Sequence, residues 1–501
     1  MTLPDKLHNY LETAARVNGD KIYIKTSSAC FSFSRVFEMA VFLQEIFKHN
    51  GIQEYDRVVL YSSKNAASIA VMAACSKCEA LYIPVAAANP AERAKFIIYE
   101  TNPRFIVCDE MTSAELKNLS LPIELIHATE DVCIFKFFPV ERDVFANHQS
   151  GFILYTSGST GTPKGVLISH EAAIAFIDWA ANEFDILESD VLASIAPFNF
   201  DLSVFDIYVT AKKSATLILY SEEDTKNALL MAQKLSDDNV STIYATPTFF
   251  TTLANYGKLN KYNYSSLRNV LFAGEIFQPD NFNKLIENWP GKRYANLYGP
   301  TETNVCTFYR IHNTHPGNAM FPIGKPCAYA KCKLVDSDEN EIMEKNVEGE
   351  LWVSAESLFT GYWKDADKTN ASMRVSNDKN IYYRTGDIVF KNNDDDFVFV
   401  SRKDRMIKKN GFRIEPSEVE KVITSFPHVV HVAVLFSKTK NQLVCFMEIA
   451  QDFKYDTMQL KLFCQKFLPL YMVPDKFVFL DAMPRTTSGK VDLQLLDKQL
   501  Q

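Results

Sequence analysis

Leu154-Tyr155-Thr156-Ser157-Gly158-Ser159-Thr160-Gly161-Thr162-Pro163-Lys164-Gly165 carries the apolar run GFILY (151–155) into a crowd of hydroxyls and glycines with one lysine. Glycines let backbone N–H groups approach phosphate oxygens, hydroxyls add donors, and Lys164 adds positive charge. A Walker A loop needs Gly-Lys-Ser/Thr after four intervening residues; here Pro163 precedes the lysine, so this is a phosphate loop of another kind.

Outward from that loop, short β-branched or aromatic runs recur along the first 400 residues: RVVLYSS, ALYIPV, RFIVCD, ATLILYS, VSTIYAT, NVLFAGE and YANLYG. Most are bounded by amphipathic stretches such as DTKNALLMAQKLSDD. Strands alternating with helices predict an α/β fold of parallel-rich sheets covered on both faces. From about residue 320 to 400 the pattern becomes strand-rich, with KNNDDD as a turn between IVF and FVFV, which predicts a small antiparallel barrel or sheet. Beyond it, SRKDRMIKKNGFRIEPSEVE is strongly charged, Pro416 suits the first position of a helix, VVHVAVLF and LVCFMEIA are strands, and MQLKLFCQKFL is an amphipathic helix. The expected organisation is a core domain over 1–403 and a compact α+β lid over 404–501.

The composition fits such a fold. The chain has 501 residues, 47% apolar and 23% charged, with a formal charge of −8 and no long basic run. More than one core is expected at this length, and a nucleic-acid partner is not, since phosphate backbones need clustered Lys and Arg. The N-terminus lacks a basic segment followed by an apolar one, and no apolar run approaches the length that spans a bilayer, so a cytoplasmic protein without a membrane partner is expected. Ten cysteines include one CxxC, Cys75 and Cys78, inside an apolar helical stretch and with no second pair to complete a metal site; buried thiols are the expectation.

Further motifs follow in a fixed order: YDRVVLYSS, ALYIPVAAANPAERAKFIIYETNPRFIVCD, FNFDLSVFDIY, NLYGPTETN, GELWVSAESLFTGYW, YYRTGDIV, DRMIKKNGFRIEPSEVE and PRTTSGKVD. With the phosphate loop they resemble the core motifs of the adenylate-forming superfamily, which contains acyl-CoA synthetases, luciferases and nonribosomal peptide adenylation domains. The resemblance runs from about Tyr55 to Val491. It implies ATP and Mg2+ as cofactors, a large N-terminal domain and a mobile C-terminal lid.

Chemistry and resemblance together nominate the site. Thr156, Ser157, Gly158, Ser159, Thr160, Gly161 and Lys164 would cradle phosphate. Glu302, in Tyr298-Gly299-Pro300-Thr301-Glu302, is a carboxylate useful beside a triphosphate only through a metal, so it is the metal candidate. Tyr298, Gly299, Thr301, Gly274 and Glu275 are further nucleotide candidates. Asp387 could accept hydrogen bonds from ribose hydroxyls, as the resemblance assigns it, with Arg402 beside it; Ser401 stands where the family usually has glycine. Asp404 occupies the position of the family's hinge. Lys490, in a Thr-Ser-Gly-Lys string on the lid, would bridge a carboxylate and an α-phosphate that otherwise repel. Lys408, with Gly411 making room, is placed by a rotated lid beside an incoming thiol.

Asp201, in Phe200-Asp201-Leu202-Ser203-Val204-Phe205-Asp206, corresponds to the aspartate that pairs with the substrate α-amino group in amino-acid adenylation domains; a fatty-acid enzyme has no reason to bury a carboxylate there. By the same resemblance the pocket is lined by Asp201, Leu202, Phe205, Tyr244, Leu271, Ala273, Leu297, Val305, Cys306 and Lys490, an apolar wall apart from its charged ends, Tyr244 and Cys306. A small apolar amino acid is implied, and the set resembles stand-alone prolyl adenylation enzymes. The alternatives are a D-alanine–carrier protein ligase, whose family typically carries cysteine at the Ala273 position, and an acyl- or aryl-CoA ligase. The chain ends eleven residues after Lys490, so the expected acceptor is the phosphopantetheine thiol of a separate peptidyl carrier protein, with the basic KDRMIKK stretch helping to dock it. A monomer is expected.

Overall fold

The computed structural model describes residues 5–138, 150–158, 161–311, 321–376, 378–450, 456–486 and 491–500. The alternating runs form two large sheets. In the first, Ser150–Thr156, Leu81–Ala86, Arg57–Ser62 and Phe105–Cys108 lie parallel and side by side, and antiparallel strands at both ends bring it to eight among the described residues. In the second, Ile22–Lys25, Thr216–Leu219, Val191–Ser194, Thr242–Ala245, Asn269–Phe272 and Arg293–Tyr298 run parallel in that order within nine strands. Strands buried on both faces read as unbroken apolar runs rather than alternating ones, which is why RVVLYS and NVLF keep Arg57, Ser62 and Asn269 at their ends.

Helices Phe33–His49, Ala66–Lys77 and His170–Glu183 share one core with the facing sides of both sheets. Ala66–Lys77 is buried along its whole length from Ala66 to Ser76, and its small residues allow that close packing; Asn65 starts it by accepting a hydrogen bond from Ser68 N at 2.8 Å. Cys75 and Cys78 are buried free thiols inside this region, and no cluster of three metal-ligating side chains occurs among the described residues. The stretch DTKNALLMAQKLSDD is two helices rather than one: Asn227 leaves the helical conformation and caps Ala228–Asp237.

Between 330 and 402, six strands among the described residues form a third, antiparallel sheet, with the expected KNNDDD turn between Ile381–Lys391 and Phe397–Arg402, while Gly361–Tyr362 joins the edge of the first sheet. After Arg402 the hairpin Ile407–Lys409/Phe412–Ile414 leads into helix Pro416–Thr424, with Pro416 in the first turn, and a three-stranded sheet of Val429–Ser437, Gln442–Ile449 and Lys476–Leu480. Helix Thr457–Phe467 packs there through Leu460 and Cys464. The described apolar clusters of this unit draw only on residues from Ile407 onward. The chain is thus an α/β protein with two parallel-rich sheets, a small antiparallel sheet and an α+β C-terminal unit.

Candidate active site

The phosphate loop joins the antiparallel pair Ser150–Thr156 and Lys164–Ser169. Its glycines are required by space: a Cβ on Gly158 would fall 1.8 Å from the Thr162 carbonyl, and Gly161 has φ +80°. Ser159 and Thr160 lie outside the described residues. The Thr156 hydroxyl is buried without a hydrogen-bond partner, which suits a loop that accepts an anion. Two donors of the loop are taken by the C-terminal unit: Ser157 Oγ donates to the Arg413 carbonyl at 2.8 Å, and Gly158 N donates to Glu418 Oε2 at 3.1 Å. The Glu418 carboxylate therefore sits on a phosphate-loop amide, and it also pairs with Arg93 from helix Ala91–Thr101.

Lys164 does not point into open space. Its Nζ donates to Glu302 Oε1 at 2.7 Å and to the Tyr362 hydroxyl at 3.1 Å, and Arg413 Nη1 reaches the two oxygens of Glu302 at 3.3 and 3.4 Å. Burial pulls the Lys164 pKa down to about 8, Arg413 adding to it and Glu302 opposing. Burial alone would raise the carboxyl of Glu302, but Lys164 and Arg413 outweigh it and hold it well below the usual carboxylate range. With both oxygens of Glu302 already shared by two cations, a resident metal has no place in this arrangement. A single carboxylate does fit a metal that arrives coordinated by nucleotide phosphates.

The ribose candidates meet across a strand pair. Asp387 and Arg402 are register partners, and Arg402 Nη1 donates to Asp387 Oδ1 at 2.6 Å while the Tyr298 hydroxyl donates to Oδ2. The other edge of the same guanidinium holds Asp404, at 2.6 and 2.8 Å. Asp404 is thereby tied to the nucleotide candidates by one planar group.

Asp201, Leu202, Tyr244, Ala273 and Val305 line a cavity together with Gly274, Gly299, Thr301, Arg402 and Lys408. Thr301 Oγ1 donates to Asp201 Oδ2 at 2.7 Å. Burial pushes the Asp201 pKa up, and the Thr301 hydrogen bond and Lys408 work against that. Only about 50 Å³ of the cavity is open, because the hairpin 407–414 is inserted into it. Gly411 makes this possible: a Cβ there would lie 2.2 Å from Thr246 Cγ2, and Gly274, at φ +95°, faces the same backbone. Burial lowers the Lys408 pKa against the pull of Asp387, and its ammonium stands 5.5 Å over the Tyr298 ring. A groove of about 610 Å³ beside Trp179 contains none of these residues.

Several expectations need correction. Phe205, Leu271, Leu297 and Cys306 are buried but do not line the cavity. Phe205 stands behind Tyr244 with ring centroids 5.3 Å apart, and Cys306 packs into the core of the small sheet, away from its neighbour Val305. Glu275 accepts a hydrogen bond from Thr248 N at 2.7 Å instead of lining the cavity. The KDRMIKK stretch is no free basic patch: Lys408 and Lys409 are turned inward, Lys409 pairs with Asp475 at 2.6 Å, and Arg405 pairs with Glu420 at 2.6 Å. Its charges serve the inserted hairpin. Lys490 lies outside the described residues; Arg485 and Val491, on either side, form a bridge within the C-terminal unit. The sequence did not single out Arg413, Glu418, Tyr362 or Arg93. The string GFRIEPSEVE carried two of them, but nothing local tells which charges in such a run turn inward.

The geometry can now be set against known proteins. The family model described as AMP-binding enzyme matches residues 11–363, and that of the AMP-binding enzyme C-terminal domain matches residues 418–490. L-proline–[L-prolyl-carrier protein] ligases of Streptomyces coelicolor and Pseudomonas fluorescens are 31% and 30% identical, over 89% and 90% of this chain and 88% and 90% of theirs. A D-alanine–D-alanyl carrier protein ligase of Lactococcus lactis is 27% identical over 98% of each chain. The crystal structure of IdnL1 superposes with a TM-score of 0.82 at 25% identity, covering 96% of this chain and 99% of that one. The phosphate loop, the buried Lys164–Glu302 pair and the Asp387–Arg402 register are thus features of a chain that belongs to the AMP-binding enzyme family.

Proposed function

We propose that this protein uses ATP and Mg2+ to activate a small apolar amino acid, L-proline, as its acyl-adenylate and then passes it to the phosphopantetheine thiol of a separate carrier protein. The observation that carries this reading is Asp201: a carboxylate hydrogen-bonded by Thr301 in the wall of a cavity where Leu202, Tyr244, Ala273 and Val305 supply apolar lining and the inserted hairpin contributes Lys408 and Arg413, beside Arg402. Once the hairpin withdraws Lys408 and Arg413 from the cavity, the buried acid calls for another cationic partner, and an α-ammonium, primary or secondary, supplies one. The two prolyl relatives support proline among small amino acids.

In the first step the substrate carboxylate attacks the α-phosphorus of ATP, the bond to the β-phosphate breaks and pyrophosphate leaves. Thr156, Ser157, Gly158 and Lys164 hold the phosphates, Asp387 and Arg402 the ribose, and Lys490 bridges the carboxylate and the α-phosphate. Magnesium, held by Glu302, would neutralise the leaving group. That step requires the lid, 404–501, to swing about Asp404 so that the hairpin leaves the cavity and Arg413 leaves Glu302. In the second step the lid returns to the orientation described above, with Lys408 beside the arriving thiol. Sulfur attacks the acyl carbon, the carbon–oxygen bond to AMP breaks, and AMP departs.

Amino-acid-dependent ATP–pyrophosphate exchange tests the reading across L-proline, D-alanine, L-alanine, and simple aryl and fatty acids. Exchange with L-proline alone supports it. Exchange with D-alanine keeps the mechanism and overturns the pocket assignment; exchange only with aryl or fatty acids removes the amino-acid reading.

A further inference from the structure

Lys64 follows strand Arg57–Ser62 of the first sheet, yet its ammonium is bonded to the second. Nζ donates to the carbonyls of Ser194 at 2.7 Å, Ile195 at 3.3 Å and Ala196 at 3.4 Å, at the end of strand Val191–Ser194. Those three bonds use every proton an ammonium has. The chain runs on from Ala196 through a short loop to Asp201, and then into a π-helical turn, Phe205–Val209. Such turns are rare and concentrate at functional sites.

Asp206 stands in that turn, completely buried, and neither of its carboxyl oxygens has a hydrogen-bond partner. The Ser194 hydroxyl lies beside it. Burial pushes the Asp206 pKa well above the carboxylate range, and Lys64 and Ser194 pull against it. Burial brings Lys64 down to about 8, opposed first by Asp206 and then by Asp224, which is itself paired with Lys234 at 2.6 Å. A buried acid without a compensating charge is costly, and Lys64 is the cation that bears on this one. Three carbonyl oxygens converging on one point are part of what a hard-cation site supplies, here served by a cation on a side-chain tether.

We propose that Lys64 and Asp206 are a positioning pair for the amino-acid pocket, in which the tethered ammonium fixes the entrance of the segment that presents Asp201 and Phe205 and Asp206 stands buried at its exit. Lys64 pins the entrance of that segment through the three carbonyls. Asp206 sets the turn that presses the Phe205 ring against Tyr244, a cavity-lining residue. The pair touches no reacting atom and acts through Asp201 and Tyr244. This inference rests on the amino-acid reading above.

The test uses Lys64→Met, Asp206→Asn and the double variant Lys64→Met/Asp206→Asn in the full chain, with exchange measured on the acid that the unmodified protein accepts. Each single variant is expected to raise the amino-acid KM about tenfold while the ATP KM stays within about twofold. Propylammonium, added to Lys64→Gly, is expected to restore part of the lost amino-acid affinity, and n-propanol is not. Equal changes in both KM values, or an unchanged amino-acid KM in folded variants, would overturn the proposal. Thermal unfolding gives a substrate-independent check: the double variant should lose less Tm than the sum of the singles, and strict additivity counts against the pair. If the unmodified protein shows no amino-acid-dependent exchange, the amino-acid reading fails first and the unfolding cycle still judges the pair.

Discussion

Glu418→Gln should separate the two half-reactions. In the orientation described, Arg93 and Glu418 are 6% and 2% exposed, so their ion pair is almost free of solvent. The amide can still accept from Gly158 N, and what is lost is the charge opposite Arg93. Breaking a buried pair by removing one partner costs about 3–5 kcal/mol. The protein can escape most of that by leaving the lid undocked, where Arg93 returns to water. The penalty therefore falls on the lid equilibrium rather than on the fold, and each 1.4 kcal/mol is about a factor of ten in the docked population. Part of the shift is silent if the docked state is strongly favoured at the outset, so the expected loss in thioester formation is about a hundredfold. Single-turnover transfer of labelled acyl groups from enzyme-formed adenylate to pantetheine reads that step, and ATP–pyrophosphate exchange reads the other. Exchange should hold or rise. Equal loss in both assays, or transfer within about threefold of the unmodified protein, would refute the latch.

Asp201→Ala should abolish amino-acid-dependent exchange while leaving ATP binding, measured by calorimetry, unchanged; normal turnover would remove the ammonium–carboxylate pairing. Lys490→Ala should cripple exchange and largely spare transfer from supplied acyl-adenylate, and equal loss of both would end that division of labour. Gly411→Val should do the reverse, because its side chain meets Thr246 and bars the hairpin from the cavity; intact transfer by that variant would show that insertion is dispensable. Glu302 has a folded pKa depressed below its ordinary 4.5, so its contribution to stability is complete above that value and is lost as pH falls below it. Tm measured from pH 6 down to pH 3 should accordingly fall less steeply in Glu302→Gln than in the unmodified protein.

The strands were legible because their burial writes itself into composition: RVVLYS, FIVC and NVLF have no solvent face and keep Arg57, Ser62 and Asn269 at their ends. The loop at 156–164 drew attention by its residue types, while Asp387, Arg402 and Asp201 were nominated by the resemblance of their motifs; the structure sets Asp387 and Arg402 in register and Asp201 in the wall of the cavity. The outer wall of the pocket was not legible. Neighbours such as Val305 and Cys306 differ in direction, not in character, and one lines the cavity while the other packs against Tyr298 and Ile323. Nor could the sequence tell that Lys408 and Lys409 turn inward while Lys403 and Arg405 stay exposed, since partners such as Asp475 and Glu420 are distant in the chain or on another element. Arg93 and Glu418 are 325 residues apart, and neither shows locally that it is buried.

An acyl-adenylate waiting for its thiol is exposed to reversal, because pyrophosphate can attack it and regenerate ATP. The carboxylate of Glu418 on the amide of Gly158, with the Lys421 stem laid over Gly161, turns that exposure into a matter of timing. On the role proposed for this loop, one amide cannot serve a carboxylate and a phosphate at once, so the docked lid would close the return path by filling the seat that pyrophosphate vacates. Commitment to the forward direction is then a property of shape: the intermediate is guarded by the same residues that prepare its transfer, and pyrophosphate at high concentration would have to displace the lid before it could undo the first step.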